Sequence, residues 1–540
     1  MIAVTCMESE EDIMSDLMRM TGLISGMDTS TIVGALVSAA NYKTTKLKNQ
    51  QTKLGWKQDA WKTLNSKVYS FYTGALSEMR MENTYNTKTA TVADASIASV
   101  SVDSGSAIGT QTLAVKSLAT SGYLTGGVVS TGGDKATTGT KLSELGVSGS
   151  VSVGVAIGDD ADAVPATATK TVQIDDTMTI AQALNEFKKA GINASFDEKN
   201  QRFFLSSSDS GADKNFEIIG DSSNKAALQA MGLYYTYSVE ADGTHTYDTY
   251  TSEAGSAAPV KVQGTDAEIE LNGATYKSSG NSFVVNGMTI QAKSTSAAGA
   301  VTTITTSRDI DAIYDKIVDF FDEYNSLINE MDKLYNADAA KGYDVLSEDD
   351  KSGMSDEQVE KWETKIKDSL LRKDDSLSTL INLFKNTMSG TSTSGDSWST
   401  FGIATLGYFN AADNEKGAYH IDGNSDDDDT KDNEDVLKKM LASDPDRVTK
   451  FMTEITGKLY DGLGTKGLMK SIESTRSVYK VYNDKLLQKE YDNLSSEITK
   501  QEKYVSDLED FYYSKFTAME KALAKLQNSS SAISGLLNMN

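Results

Sequence analysis

Cysteine, histidine and proline are nearly missing from this 540-residue chain, which holds one, two and three of them respectively. A single cysteine, Cys6, excludes an intrachain disulfide framework and every paired-cysteine zinc or redox motif. Two histidines, His245 and His420, leave little imidazole for a histidine-rich metal centre. Three prolines point to long uninterrupted helices and strands, not proline-rich linkers. An excess of positive charge is missing too: 52 Lys+Arg against 77 Asp+Glu leave a net charge of −25. That argues against a nucleic-acid footprint, which needs a basic face to replace counterions on phosphates. Long hydrophobic runs are absent. The longest near-apolar stretch, Ile32 to Ala40, is nine residues with a serine inside, against about 20 for a membrane-crossing helix. The first 21 residues show neither the basic n-region nor the apolar core of a cleavable signal peptide. Cys6 also comes too early for a lipoprotein leader, and Met14 and Met18 are alternative starts that would remove it.

What is present is material for cores and a soluble surface, 39% hydrophobic and 24% charged residues. At roughly 100–200 residues per domain, three or four domains are expected. Patterning divides the chain into helix, strand and helix again. The expected fold class is α+β, with long terminal helices forming a coiled-coil or helical-bundle stalk and antiparallel β-rich domains inserted into it. The expected parts are a flexible N-terminal segment 1–28, an N-terminal helical leg 29–83, and a β-rich domain from 84–122 plus 253–308. An inserted β-rich domain with one helix follows at 123–252, then a helical core 309–477 with an acidic loop 422–435, and a C-terminal coiled-coil leg 478–540.

The first leg opens at Asp28-Thr29-Ser30, whose side chains suit a helix start. From there Val33, Leu36, Ala40, Lys43, Leu47, Gln50, Leu54, Lys57, Trp61, Leu64, Val68 and Phe71 alternate steps of three and four. The spacing predicts a 3.5-residue seam, apolar at Leu36, Leu47, Leu54, Trp61, Leu64, Val68 and Phe71 and interrupted by polar positions. Fifty helical residues would reach about 75 Å, too long a rod to bury its own stripe. The chain end repeats the pattern through Leu487, Tyr491, Leu494, Ile498, Gln501, Val505, Leu508, Tyr512, Lys515, Met519, Leu526 and Ile533. Two such rods are expected to pack on each other or on a neighbouring copy. Polar seam positions, among them Gln501 and Lys515, read as register or partner devices.

Between the legs, period-two runs such as Ser99-Val100-Ser101-Val102 and Val151-Ser152-Val153 predict short strands. Asn286-Gly287 predicts a hairpin turn between Val285 and Met288, and Ile180 to Ala190 a helix capped by Thr179. The Gly-rich stretch Gly122–Gly139 is expected as the loop between two sheet domains. Beyond it, Ile310–Leu334, Ser355–Met388 and Val436–Phe451 each read as helical.

None of the candidate chemical motifs holds. Asp422, Asn424 and Asp426 suit calcium, but the glycine and glutamate of an EF-hand loop are replaced by Asp427 and Asn433. Gly462-Leu-Gly464-Thr-Lys466-Gly467 lacks the spacer and hydroxyl of a phosphate loop and reads as a flexible joint. Neither His245 nor His420 stands in a nucleophile context. The sequence therefore offers no catalytic residues, no metal ligands and no cofactor. Tyr234, Tyr235, Tyr237, Tyr247 and Tyr250 read either as an exposed binding surface or as cross-strand pairs.

What remains is assembly, and here the sequence resembles a known family. Gly22 to Ser30, then Leu54-Gly-Trp56-Lys-Gln-Asp-Ala60-Trp61, is similar to the N-terminal signature of the bacterial flagellar filament cap, or hook-associated protein 2, family. Gly109 to Ala119, Ile310–Leu334, Leu371 to Leu377, Ser443 to Val448 and Tyr512 to Leu523 are similar to it as well. The extension before Arg19 and the acidic stretch Asp426–Asp435 depart from the pattern. The resemblance implies a structural protein without cofactor, exported unfolded through the flagellar channel. It implies a ring at the distal filament tip, of about five subunits with four to six compatible, where exported flagellin is retained and folded into the lattice. Implied partners are flagellin, further copies of itself, an export chaperone bound through the C-terminal helix, and hook–filament junction proteins, with no nucleic acid and no membrane. The rival readings are flagellin or a junction protein, and a surface adhesin whose tyrosine-rich domain holds a host surface ligand.

Overall fold

The computed structural model describes residues 25–162, 166–240, 245–249, 258–407, 409–412, 415–464, 467–471 and 480–537. Cys6, Met14, Met18, the turn 241–244, Tyr250 and residues 465–466 of the joint before the last helix lie outside the described residues. Two units divide the chain, Met1–Tyr85 with Ile310–Asn540 and, between them, Asn86–Asp309. Its longer helices are α1 (Thr29–Thr73), α2 (Ile180–Lys189), α3 (Ile310–Tyr335), α4 (Asp356–Asp368), α5 (Asp375–Met388), α6 (Val436–Ser443), α7 (Pro445–Leu463) and α8 (Asp484–Leu537).

Local chemistry sets the helix ends. Asp28 caps α1 by accepting from the Thr31 N–H at 3.1 Å, and hydrogen bonds from Ser30 and Thr31 hold its carboxyl down at about 2. The helical stretch 355–388 is two helices, not one: Lys373 takes a left-handed φ of 53°, and Asp374 starts α5 by accepting from Ser376 and Leu377 N–H. The stretch 436–451 also breaks, because Pro445 has no N–H to continue α6 and instead opens α7 behind the Asp444 cap.

In the helical unit one apolar core joins Trp61, Leu64 and Phe71 of α1 to Phe320, Phe321 and Tyr324 of α3, Phe384 of α5 and Phe451 of α7. Phe71 meets Phe320 at 5.6 Å and Phe384 at 5.9 Å between centroids. Trp398 stands edge-on to Phe321 at 5.0 Å and to Phe451 at 4.7 Å. Each such side chain contributes about 1.5–3 kcal/mol by burial. Among the described residues no helix is long and apolar enough to cross a membrane.

The second unit is antiparallel β with two cores. One lies between a five-stranded sheet, in the order Lys88–Val92, Thr302–Arg308, Gly109–Ser117, Ala267–Leu271 and Ala274–Ser278, and a three-stranded sheet of Ser282–Val285, Met288–Ala292 and Ala98–Val102. The other packs α2 with two sheets. These run Val260–Val262, Tyr123–Thr125, Arg202–Ser207, Ile192–Asp197 and Lys170–Asp175, Ser150–Ile157, Phe216–Ile219. Thr179 caps α2, and Val285 pairs with Met288 across the Asn286-Gly287 turn. The glycine-rich stretch 122–139 is not a bare linker. Gly127 N–H donates to Gly232 O and Val129 N–H to Gln201 O, and Val129 and Ala136 are buried in the second core.

Candidate assembly interface

Polar bonds fix how α1 and α8 meet. Ser25 donates to Glu520, Gln501 Nε2 to Ala40 O at 3.4 Å, and Gln51 Nε2 to Ser495 Oγ at 2.6 Å. The Val481 N–H donates to Asn65 Oδ1 at 2.9 Å, beside the Trp61 ring stacked on Tyr482 at 5.1 Å. As α1 numbers rise, α8 numbers fall, so the two helices run antiparallel. Lys48 and Glu502 add an ion pair at 2.6 Å, exposed enough to contribute little.

The seam on α1 follows a different register from the one its leucines suggest. One column is Val33, Ala40, Leu47, Leu54, Trp61 and Val68, all buried or half-buried. The second column lies four residues on, not three: Val37, Thr44, Gln51, Gln58, Asn65 and Tyr72. Leu36, predicted in the seam, is 45% exposed while Val37 is 3% exposed. Lys43 and Gln50 are likewise exposed, and Lys57 turns away to pair with Asp374 at 2.8 Å. Leu64 and Phe71 serve the helical core, which Trp61, Val68 and Tyr72 at the C-terminal end of the two columns also enter. The physical reason is that 3.6 residues per turn lets either step continue a stripe, and packing chooses between them.

On α8, Leu487, Tyr491, Leu494, Gln501, Val505, Leu508, Tyr512 and Met519 are half-buried and Ile498 is buried. Lys515 leaves the line. It is exposed, with Nζ 5.2 Å over the Phe511 ring, and Phe516 and Glu520 take the inward places. Leu526 and Ile533 are also exposed, and both lie past the point where Ser25 meets Glu520. Tyr504, Phe511, Leu526 and Ile533, all more than half exposed, fall within about a sixth of a turn of one another at 100° per residue. They form a second apolar stripe, roughly a quarter-turn from the seam.

The described tyrosines Tyr234, Tyr235, Tyr237 and Tyr247 are buried or half-buried, not an exposed surface. Tyr237 stands opposite Tyr247 in the hairpin Tyr235–Val239/His245–Thr249. Buried Glu217 accepts from Tyr235 Oη at 2.6 Å, Tyr247 Oη at 2.5 Å and Gln263 Nε2 at 3.2 Å. Lys261 Nζ lies 4.0 Å from the same carboxylate, and burial pushes this lysine down to about 8. His245 stacks on Tyr237 at 5.5 Å and lies 3.7 Å from Glu217 and 3.6 Å from Asp162. No sequence motif announced this cluster, whose members are spread from residue 162 to 263. His420 Nδ1 lies 2.7 Å from Asp427 Oδ2. Donor atoms of His420, Asp427 and Asp429 come within 4.8 Å of one another, a grouping the EF-hand template does not describe.

Family models of the flagellar hook-associated protein 2 N-terminus and C-terminus match residues 25–122 and 264–528. The flagellar hook-associated protein 2 of Halalkalibacterium halodurans is 21% identical over 453 residues, covering 81% of this chain and 79% of that protein. The A-type flagellar hook-associated protein 2 of Pseudomonas aeruginosa is 26% identical over 174 residues, 30% of this chain and 35% of that protein. The solved D1-D2-D3 domains of the flagellar cap protein FliD from Escherichia coli share 19% identity, with 77% of this chain and 98% of that chain covered at a TM-score of 0.47. The two family matches take in α1, α3 to α7 and most of α8, and leave the Glu217 cluster outside. Matched in order by both ends of one family over more than half its length, the chain belongs to the flagellar hook-associated protein 2 family, whose members cap the distal tip of the bacterial flagellar filament.

Proposed function

We propose that this protein retains exported flagellin at the filament tip and promotes its folding into the next lattice position, with the α1/α8 pair as the part that engages the filament end. The observation that carries this reading is the apolar stripe of Tyr504, Phe511, Leu526 and Ile533, left exposed on α8, its first two residues beside the paired seam and its last two past the Ser25–Glu520 contact. An amphipathic helix with a spare apolar stripe takes a further helix along it. The polar second column, Thr44, Gln51, Gln58 and Asn65, keeps the pairing short of maximal strength. Modest pairing suits a cap that releases and rebinds as each subunit enters.

The same reading takes neighbouring copies as partners in a ring of about five, four to six being compatible. It adds an export chaperone on the C-terminal end of α8 before export, and the hook–filament junction proteins as the first surface the cap meets. The protein works as a structural element without catalysis, in keeping with a family of structural caps. The adhesin reading loses its motive, since Tyr235 and Tyr247 spend their hydroxyls on Glu217.

A photo-crosslinking residue placed at Tyr504 or Phe511 in the flagellated host tests the proposal. Adducts with flagellin or with a second copy of the chain are expected. Efficient incorporation with neither adduct would overturn the role given to α8.

A further inference from the structure

Two Asn-Gly turns in the β unit are a matched pair. Asn272 and Asn286 both take φ of 51°, both are exposed, and each closes a two-residue hairpin, Leu271 to Ala274 and Val285 to Met288. They differ in how the asparagine side chain is held. The Asn272 amide is held at both ends: its Oδ1 accepts from the Thr112 N–H at 2.9 Å, and its Nδ2 donates to Gln111 Oε1 at 3.0 Å. Its backbone N–H donates to Thr112 O as well, at 2.9 Å. Among the described residues, no hydrogen bond holds the Asn286 side chain.

From this contrast we infer that Asn286 is a site of spontaneous backbone modification, deamidation through a cyclic imide, and that Asn272 is protected from it. The following glycine leaves the attack sterically open. At 287 the fold enforces glycine, since a Cβ there would stand 2.5 Å from Asp103 Oδ1. In the reaction the Gly287 amide nitrogen gives its proton to solvent base and bonds to Asn286 Cγ. The Cγ–Nδ2 bond breaks and ammonia leaves. Solvent water then opens either carbonyl of the imide, giving aspartate or isoaspartate at 286. No oxidant or reductant takes part. Attack requires the side chain to swing over its own backbone, and at Asn272 that motion first breaks two hydrogen bonds.

The product changes its surroundings. Asp103 N–H donates to Gly287 O at 3.0 Å and the Asp103 carboxylate stands against position 287, so a new carboxylate at 286 arises one residue from an existing negative charge. Isoaspartate also lengthens the backbone inside a two-residue turn, which pulls Val285 and Met288 out of register. The expected consequence is a loosened edge on the three-stranded sheet.

The test is peptide mapping by mass spectrometry of the folded full-length chain, incubated in mildly alkaline buffer and followed for amide-to-acid conversion. Conversion at Asn286 is expected to run at least about tenfold faster than at Asn272, the effect of two ordinary hydrogen bonds. Gln111→Ala frees one end of the Asn272 amide and is expected to raise its rate while leaving Asn286 unchanged. In denaturant the two rates should converge. Conversion of Asn272 as fast as Asn286 in the folded chain would overturn the inference. So would a rate ratio that survives unfolding, since that would locate the difference in the flanking residues and not in the fold.

Discussion

Gln51 of α1 and Ser495 of α8, 444 positions apart, meet at 2.6 Å with the glutamine amide donating to the serine hydroxyl. The Ser495 hydroxyl donates in turn to Tyr491 O at 3.0 Å, so a hydrogen-bonded polar pair stands in the middle of a pairing that apolar side chains would hold more tightly. This bond places a polar residue where a coiled coil normally sets a leucine or isoleucine. Gln51→Leu combined with Gln501→Leu should therefore raise the melting temperature of the helical unit, by about 1–3 kcal/mol of added stability. The same variant should slow filament elongation. A gain in stability with normal elongation would separate the polar seam from the cap's working cycle.

The register of α1 makes a sharper distinction between neighbours. Val37→Ala should cost about 1–3 kcal/mol, because Val37 is 3% exposed in the seam. Leu36→Ala should stay within about 0.5 kcal/mol, as an exposed position does. Urea denaturation of the two single variants reads the difference, and a larger loss at Leu36 would restore the three-residue step.

Asn65 holds the start of the last helical segment through the buried Val481 N–H. Asn65→Leu leaves that donor without its acceptor, at a cost of about 1–3 kcal/mol. Hydrogen exchange at the Val481 amide should speed up, while amides in the core of α3 hold their protection.

How much of this was legible follows from how local each signal is. Asp28, Thr179 and the Asn286-Gly287 turn act within four residues, and the sequence displays them directly. The break at Pro445 was written in the sequence too, although the apolar periodicity on either side ran across it. The seam was legible as a seam but not in register, since Leu36 and Val37 both fit a helical stripe and only packing against α8 selects Val37. Thr44, Gln51 and Asn65 do not look like core residues until Ser495 and Val481 are set against them. The tyrosine strands were legible as strands. Which face they bury depends on Glu217 and Lys261, supplied by two other strands.

Lys261 gives the β unit a pH dependence with an unusual sign. Burial lowers its folded value to about 8 from 10.5, so between those limits the unfolded chain binds more protons than the folded one. Stability should then rise as pH rises through that window, by on the order of 2–4 kcal/mol. Lys261→Met should abolish the rise, and near neutral pH it should lose stability to the extent that the buried Glu217 carboxylate is left without its neighbouring cation. Chemical denaturation followed by a probe in the β unit, at pH 7 and again near pH 10, checks both. A stability that falls across the window in the unaltered protein would contradict the assignment.

The central claim is that the chain caps the filament and keeps flagellin there, and a leak assay meets it most directly. The gene is deleted in the flagellated host, and monomeric flagellin in the medium is quantified beside filament length. The account predicts abundant soluble flagellin with stunted filaments, both corrected by the full-length protein. Filaments of normal length with no leaked flagellin would contradict it.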